Sequence, residues 1–340
     1  CHMAENKKIN KRESQKQDFS NLAEEIFLWS KEEMFPKDVS ADAAYILQAH
    51  RQRLRQKGLE MEYAMTSQDF FLENKTEKAS LLRWKCKGNM EFTMDSGRQK
   101  KISGQYHLYA FAKWQGRKYM VEQIYFKKSH ETDRDKLLRK TLKFFGAGAV
   151  IGFLVALYQI LILNSMEYTG LLVDPVVGAL FGYAVYALFQ LGKLVIKGIR
   201  EMPLIRKGGQ TAMEITSVMR LLNQEFSFPV FEAQIVDLLQ RVIYAADISE
   251  IDQYEPEARE RQLEDIIQCI YEGNMIFRGY HSEEKKCILN LDLYMLDVYY
   301  KKSRIWSQRD VYHMTVYRDF GQSKEKAKKW TIQAIWRDKK

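Results

Sequence analysis

Cysteine and proline are both scarce in this chain, which has four cysteines and five prolines among 340 residues. The cysteines show no CxxC pair and no metal-ligand spacing, which argues against a disulfide framework and favours a reducing compartment. With 46% apolar residues, the composition also excludes a collagen-like or disordered chain. The P-loop, GxGxxG, HExxH and GxSxG signatures are missing. The sequence therefore predicts no cofactor and no metal.

The formal net charge of +9 is concentrated in three short segments. Residues 1–16, a basic polar tail, carry +3, and segments 127–143 and 193–207 carry +4 each, which leaves −2 for the rest of the chain. No positive charge is left over for a broad basic face. We therefore expect no nucleic-acid partner.

The centre of the chain contains two long uncharged runs, at 144–166 and 175–192. A helix needs about 20 apolar residues to cross a bilayer. The pattern therefore predicts a transmembrane helical hairpin within 144–197, with spans at about 144–164 and 174–196. The alternative is a helical hairpin buried in a soluble core, although such helices usually keep a polar stripe.

Small residues recur every four positions on both predicted spans: Gly148 and Gly152 on the first, Gly178 and Gly182 on the second. This spacing lets two membrane helices pack closely. We expect these glycines to form the helix contact, and a homo-oligomer through the hairpin is a further expectation.

Charge asymmetry predicts the orientation of the hairpin. The juxtamembrane segment 128–143 and the residues after 193 are rich in lysine and arginine, whereas the connecting segment 164–174 has neither. By the positive-inside rule both flanks are cytoplasmic. We expect a two-pass protein of the cell's inner membrane, in contact with the lipid bilayer. Asp174 and Pro175 are typical of the N-cap and first position of the second helix.

The regions before and after the hairpin have similar patterns. Helical spacing followed by alternating aromatic and polar residues predicts helices and then strands in each region. The predicted helices are 18–35 and 40–57 before the hairpin, and 213–225, 230–246 and 257–271 after it. Strands follow within 60–126 and within 275–337, and 80–94 and 286–300 are among them.

Two stretches also match residue by residue: Tyr106-His107-Leu108 with Tyr312-His313-Met314, and the closing strands that begin at Tyr119 and Trp330. We interpret these matches as a duplicated α+β domain over 17–127 and 210–338. Chance alternation of aromatic residues is the alternative.

The order of helices and antiparallel strands resembles the curved-sheet cone of nuclear transport factor 2-like domains. The stretch 226–254 is similar to the opening of the mitochondrial import-motor tether (Tim forty-four) family, whose positions are occupied by Phe231, Ala245, Asp247 and Ile251. The closing Lys329–Ile332 segment resembles the last strand of that family. The resemblance covers 210–338. It implies two helix-on-curved-antiparallel-sheet cone domains flanking the hairpin, and a role near protein translocation or membrane assembly.

Three titratable residues are candidates for chemistry. His107 and His313 occupy matching strand positions and would act as general bases if they faced a pocket. The alternative is a histidine hydrogen-bonded across the sheet or solvated on its outer face, and the spacing implies no neighbouring Asp or Ser. Asp292 would take a proton or bind a cation inside a pocket. Asp297, an odd number of residues later, is expected on the opposite face.

An acidic loop follows the predicted helix 230–246 and contains Asp247, Glu250 and Asp252. It is a candidate docking surface for basic partners, and the alternative is a solvated loop and helix start.

These features lead us to expect a non-enzymatic, membrane-anchored scaffold or tether that binds protein partners at the cytoplasmic face. The alternative is a small-molecule-binding or isomerase/hydrolase-type cone with His107, His313 or Asp292 in its pocket. A channel or transporter would need more than two spans, or an oligomer. An interior filled by side chains favours the scaffold.

Overall fold

The computed structural model describes residues 38–75, 79–114, 119–128, 134–162, 169–224, 226–256, 261–283, 286–320 and 329–338, together with Glu25. The basic tail 1–16 lies outside these ranges, and so does the predicted helix 18–35 apart from Glu25. The chain divides into two compact units. Residues 1–129 and 207–340 form the sheet unit, and residues 130–206 form the hairpin unit.

Helices and strands follow one another in an α+β order. In the described ranges the elements are α1 (Ala41–Gln56), β1 (Leu59–Lys75), β2 (Ala79–Met94), β3 (Gln99–Trp114), β4 (Tyr119–Lys128), α2 (Arg134–Leu161), α3 (Gly170–Leu222), α4 (Phe228–Tyr244), short 3₁₀ turns at Ile248–Glu250 and Arg261–Asp265, β5 (Ile266–Glu283), β6 (Lys286–Lys301), β7 (Arg304–Asp319) and β8 (Thr331–Arg337).

The eight strands form one sheet whose spatial order follows the chain, from β1 to β8. Neighbouring strands are antiparallel within β1–β4 and within β5–β8. We call residues 1–129 of the sheet unit the first half and residues 207–340 the second half. The halves join where β4 pairs with β5 in parallel, through the single residue pair Lys127–Tyr271.

This shared sheet differs from the two separate domains expected over 17–127 and 210–338. The two hydrophobic clusters of the sheet unit each combine residues from both halves. Tyr109 and Tyr125 of the first half pack in the cluster beneath α4, and Ile267 and Val298 of the second half pack in the cluster beneath α1. Because each cluster needs both halves, they form one unit.

The predicted helix 257–271 is wrong. The described part of that range is a 3₁₀ turn followed by the start of β5. The first seven residues of β5, from Ile266 to Glu272, are all buried, so both faces of this strand are covered. A strand covered on both faces loses the period-two alternation, and its continuous apolar run resembles a buried helix.

The two halves share two irregular features of the backbone. Glu122 bulges out of β4 opposite Phe111–Ala112, and Gln333 bulges out of β8 opposite Thr315–Val316. The strand residue just before each bulge forms an isolated parallel bridge with a residue outside the named strands. Val121 pairs with Val39, and Ile332 pairs with Tyr254. These positions follow the sequence match between the strands that begin at Tyr119 and Trp330.

Local sequence explains the helix ends of the sheet unit. The Ser40 hydroxyl accepts a hydrogen bond from the Ala43 backbone N–H at 3.2 Å, so Ser40 is the N-cap of α1. α4 has Pro229 in its first turn, where the missing N–H costs no hydrogen bond. The observed bounds of α1 and α4 agree with the predicted helices 40–57 and 230–246 to within two residues.

The hairpin unit contains two helices long and apolar enough to cross a membrane, at Leu137–Leu161 and Leu171–Lys193. Their apolar side chains are largely exposed, for example Leu161 at 76% and Leu172 at 79%. The expected helix start at Asp174-Pro175 is wrong, because the Thr169 carbonyl accepts from the Leu172 and Val173 N–H groups and begins α3 earlier. The predicted helix 213–225 is the C-terminal part of α3, which ends at Leu222.

Candidate functional site

The four predicted packing glycines all lie where α2 meets α3. A Cβ on Gly148 would lie 2.2 Å from the Gly178 carbonyl oxygen, and one on Gly178 would lie 2.3 Å from the Gly148 carbonyl oxygen. Gly152 and Gly182 are equally close to backbone atoms of the facing helix. The glycines are therefore used within the hairpin, where they allow the two backbones to touch.

His313 lies on β7 directly opposite Asp292 on β6. Its Nδ1 is 2.7 Å from Asp292 Oδ1, and its Nε2 is 3.2 Å from Asp338 Oδ2. Partial burial opposes protonation, but hydrogen bonds to the two carboxylates outweigh it and raise the pKa of His313. Asp292 is buried and also pairs with Arg278, and the Trp336 ring stacks on His313. The structure thus gives His313 the acidic neighbour that the spacing did not imply.

His107 lies on the third strand of the first half, as His313 does in the second, but the expected match of their positions is wrong. His313 lies two residues before the bulge site at Thr315–Val316, and His107 lies four residues before the one at Phe111–Ala112. It is buried, and its ring makes an edge contact with Tyr109 at a centroid distance of 6.2 Å. Its cross-strand neighbours in register are Lys85 and Lys127, where His313 has Asp292 and Trp336. The residues in register with the two histidines therefore differ in type.

A buried polar network in the second half was missed by sequence reasoning. The Tyr299 hydroxyl donates to the Asp310 carboxylate, and Arg337 Nη1 contacts both, at 3.3 Å from Asp310 Oδ2. Gln308 Nε2 donates to the other oxygen of Asp310 at 2.9 Å. The network thus holds a carboxylate and a guanidinium together beneath the surface.

Asp297 is fully buried beside this network. The Tyr312 hydroxyl donates to its carboxylate, while burial raises the pKa of Asp297 well above its usual range. No register shift separates Asp292 from Asp297 on β6, so they face opposite sides of the sheet as predicted. A paired-carboxylate site between them is excluded. The sequence pattern of residues 292–298 indicates two acidic residues on a long strand. It does not indicate that both are buried.

The acidic loop is partly structural. Asp247 and Asp252 are exposed, and Asp247 Oδ1 accepts the Ser249 backbone N–H at 2.9 Å as the N-cap of a 3₁₀ turn. The side chain of Glu250 lies outside the described part of the structure. Glu255, farther along, accepts a hydrogen bond from the Tyr317 hydroxyl at 2.6 Å. The exposed loop charges that remain are those of Asp247 and Asp252.

The described residues of the sheet unit line at least two hollows. The larger, about 380 Å³, is an open groove between α1 and β1 with charges of both signs, including Arg51, Arg55, Glu60 and Glu62. The smaller, about 30 Å³, lies between α1, α4 and the sheet and has room for about one water molecule. Neither is lined by His107, His313 or Asp292. In the part of the chain that the structure describes, no group of three His, Cys, Asp or Glu side chains is placed to hold a metal ion.

No protein-family model and no curated protein sequence matches the chain. A solved structure described as an "Ntf2 like protein involved in plasmid conjugation" is similar over 94% of this chain and 95% of that chain, at 9% sequence identity and a TM-score of 0.20. A likeness of this strength carries no argument about function. The resemblance of 226–254 to the import-motor tether family finds no support in these comparisons.

Proposed function

We propose that this chain is a membrane-anchored scaffold, in which the hairpin unit lies in the bilayer and the sheet unit binds protein partners at its cytoplasmic face. The observation that carries the proposal is the described interior of the sheet unit, where the hollow between α1, α4 and the sheet measures about 30 Å³ and is too small for an organic substrate. A place near protein translocation or membrane assembly is part of the proposal and rests on the sequence resemblance of 226–254.

The exposed apolar surface of the hairpin supports the membrane anchor. Soluble proteins rarely leave an apolar area of this size uncovered. Chain connectivity adds a second argument, because the hairpin is inserted between two halves of one sheet. Any crossing of a membrane within 130–206 must therefore return to the side from which it started, which agrees with an even number of spans.

The anchor is tested by washing membranes that contain the full chain with alkaline carbonate. We expect the chain to stay in the pellet, because two apolar spans are held by lipid and not by surface charge. Recovery of a soluble monomer without detergent would contradict the anchor.

We propose that partners dock at the acidic loop. Because Asp247 is also the N-cap of a 3₁₀ turn, the test needs substitutions that remove charge and keep the cap. Charge reversal at Asp247 would also remove the cap, which is worth about 1 kcal/mol. Asp247→Asn combined with Asp252→Asn removes both charges and keeps a cap acceptor. Glu60→Gln combined with Glu214→Gln is the matched control, because both glutamates are exposed.

Partners captured by the full chain from detergent-solubilised membranes should be reduced about tenfold by the loop variant and retained by the control. Equal capture by the loop variant and the wild type would exclude the acidic loop as the docking surface.

A second candidate function, acid–base chemistry on a small molecule, is favoured by the His313–Asp292 pair alone. It predicts that His313→Gln abolishes function while the acidic-loop variant keeps it. The scaffold proposal predicts the opposite pattern, with partner capture unchanged by both His107→Gln and His313→Gln.

A further inference from the structure

One end of the hairpin unit carries a group of basic side chains that we call the basic collar: Arg139, Lys140 and Lys143 on α2, and Lys193 on α3. All four are exposed. They lie at the same end because the helices are antiparallel. The rings of Phe144 and Tyr186 stack there at 4.8 Å, and a Cβ on Gly182 would lie 2.5 Å from the Phe144 carbonyl oxygen.

The collar charges have no carboxylate partners among the described residues. Elsewhere many basic side chains are paired, such as Lys101 with Glu91 at 2.9 Å and Lys301 with Asp265 at 2.8 Å. The contact made by Lys193 is of a different kind, with its Nζ 4.4 Å from the centroid of the Phe189 ring. This leaves a concentrated positive charge at one end of an apolar hairpin.

The apolar side chains near the collar indicate which kind of anion can neutralise its charge. The exposed apolar surface of the hairpin adjoins the collar in the chain and includes Phe144 and Phe145 on α2 and Phe189 on α3. A ligand that satisfies both features carries a negative group at one end and hydrocarbon at the other. Basic side chains at the border of a membrane helix attract anionic headgroups in this way, and long basic side chains reach that border readily.

We propose that the basic collar binds the phosphate of anionic phospholipids, so that the hairpin selects anionic over zwitterionic lipid. This proposal rests on the membrane anchor proposed above. Inorganic or soluble organic phosphate shares the headgroup chemistry but lacks the hydrocarbon that the adjoining apolar surface would cover, so the lipid is the expected source.

The test uses the full chain, immobilised in detergent and incubated with mixed micelles of phosphatidylglycerol and phosphatidylcholine in equal amounts. Retained lipid is measured by mass spectrometry. The collar variant is Arg139→Gln, Lys140→Gln, Lys143→Gln and Lys193→Gln. Its control has the same charge change at exposed residues of the sheet unit: Arg98→Gln, Lys100→Gln, Lys302→Gln and Arg304→Gln.

We expect the wild type and the control variant to retain phosphatidylglycerol at least about fivefold over phosphatidylcholine, and the collar variant to retain the two nearly equally. The preference of the wild type should also fall at 0.5 M salt. Excess glycerol 1-phosphate should leave the bound lipid in place.

Four results would overturn the proposal. Equal retention of both lipids by the wild type would exclude the collar's selectivity and leave the membrane anchor standing. Retention of neither lipid would overturn the anchor as well. Equal loss of preference in the control variant would show a nonspecific charge effect. Displacement by glycerol 1-phosphate would assign the site to soluble phosphate.

Discussion

The two halves of the sheet unit share a strand frame but differ in the charges that they bury. All buried carboxylates among the described residues belong to the second half: Glu232, Asp237, Glu272, Asp292, Asp297 and Asp310. The first half buries no described carboxylate, but it does bury His50, Arg53 and His107. The two halves thus have matching bulges in their strands but different buried side chains.

This difference explains why the halves associate. Lys127 of the first half contacts Glu232 of the second at 3.3 Å, and Lys128 contacts Glu272 at 3.4 Å. Arg53 also donates to the carbonyl oxygens of Leu263 and Ile266, at 3.0 and 3.1 Å. At this junction the first half supplies the donors and the second half the acceptors, so Glu232, Glu272 and Arg53 all have partners across it.

The largest effect should come from the buried network of the second half. Arg337→Leu leaves the Asp310 carboxylate without its cation, and we expect a loss of about 3–5 kcal/mol in unfolding free energy. In the matched closing strands Phe126 corresponds to Arg337. Arg337→Leu therefore gives both halves an apolar residue at this position. Urea unfolding of the detergent-solubilised chain, followed by tryptophan fluorescence, measures the loss.

Arg337→Leu combined with Asp310→Leu is the control for this result. Removing both charges should recover a large part of the lost stability. A double variant as unstable as the single one would mean that Arg337 acts through packing and not through charge.

The junction of the halves should give the next largest effect. Glu232 accepts from the Tyr271 hydroxyl at 2.6 Å as well as from Lys127, so Glu232→Leu leaves both donors without this acceptor. We expect a loss of about 3 kcal/mol in a single unfolding transition. The exposed pair Lys101–Glu91 is the control, and Lys101→Met should cost less than about 1 kcal/mol. Two separate transitions would contradict the single sheet unit.

The helices of the two halves should respond to pH in opposite directions. Burial raises the pKa of Asp237 on α4 to about 6, so the folded chain holds a proton that the unfolded chain releases between about pH 4 and 6. The contribution of Asp237 to the unfolding free energy therefore falls as pH rises through that window. Asp237→Asn should gain roughly 2 kcal/mol relative to the wild type between pH 4 and 7, measured by urea unfolding.

On α1, burial lowers the pKa of His50 to about 4, so the unfolded chain takes up a proton between pH 6.5 and 4 that the folded chain does not. Here stability falls as pH falls. His50→Gln keeps a donor for the Ile267 carbonyl, 2.7 Å from His50 Nε2, and should gain relative to the wild type toward low pH. Equal slopes for His50→Gln and Asp237→Asn would contradict the assigned protonation states.

The smallest effect concerns His313. Because the pKa of His313 is raised in the folded state, its stabilising contribution is complete below pH 6.5 and is lost as pH rises through the folded pKa. His313→Gln should therefore cost about 1 kcal/mol at pH 6 and less at pH 9, by the same unfolding assay. An equal cost at pH 6 and pH 9 would contradict the raised pKa of His313.

Much of the strand frame follows from local sequence. The predicted strands 80–94 and 286–300 agree with β2 and β6 to within a residue at each end, because their alternation reflects one buried face. The junction of β4 with β5 could not be predicted, since it pairs residues on either side of the hairpin by tertiary packing alone. The covered faces of β5 are a consequence of that same junction.

The candidate sites were partly within reach of the sequence. Lys302 and Ser303 form a two-residue turn with φ of 48° and 59°, typical of a tight hairpin. Counting outward from this turn places Asp292 opposite His313, so the pair follows once the turn is recognised. Neither glycine nor asparagine marks this turn, and the signal was therefore missed. Burial of Asp297 and Asp310 depends on Arg337 arriving from β8, which local pattern does not show.

The sheet junction has a consequence for synthesis on the ribosome. Lys127 is translated 144 residues before Tyr271, its partner in the sheet. At 5–20 residues per second, β4 waits about 7–30 s for β5. During that interval the edge of β4 and the apolar surface later covered by Ile267, Ile270 and Val298 have no native partner. We therefore expect chaperones to bind the nascent first half, which is still incomplete when the hairpin helices emerge.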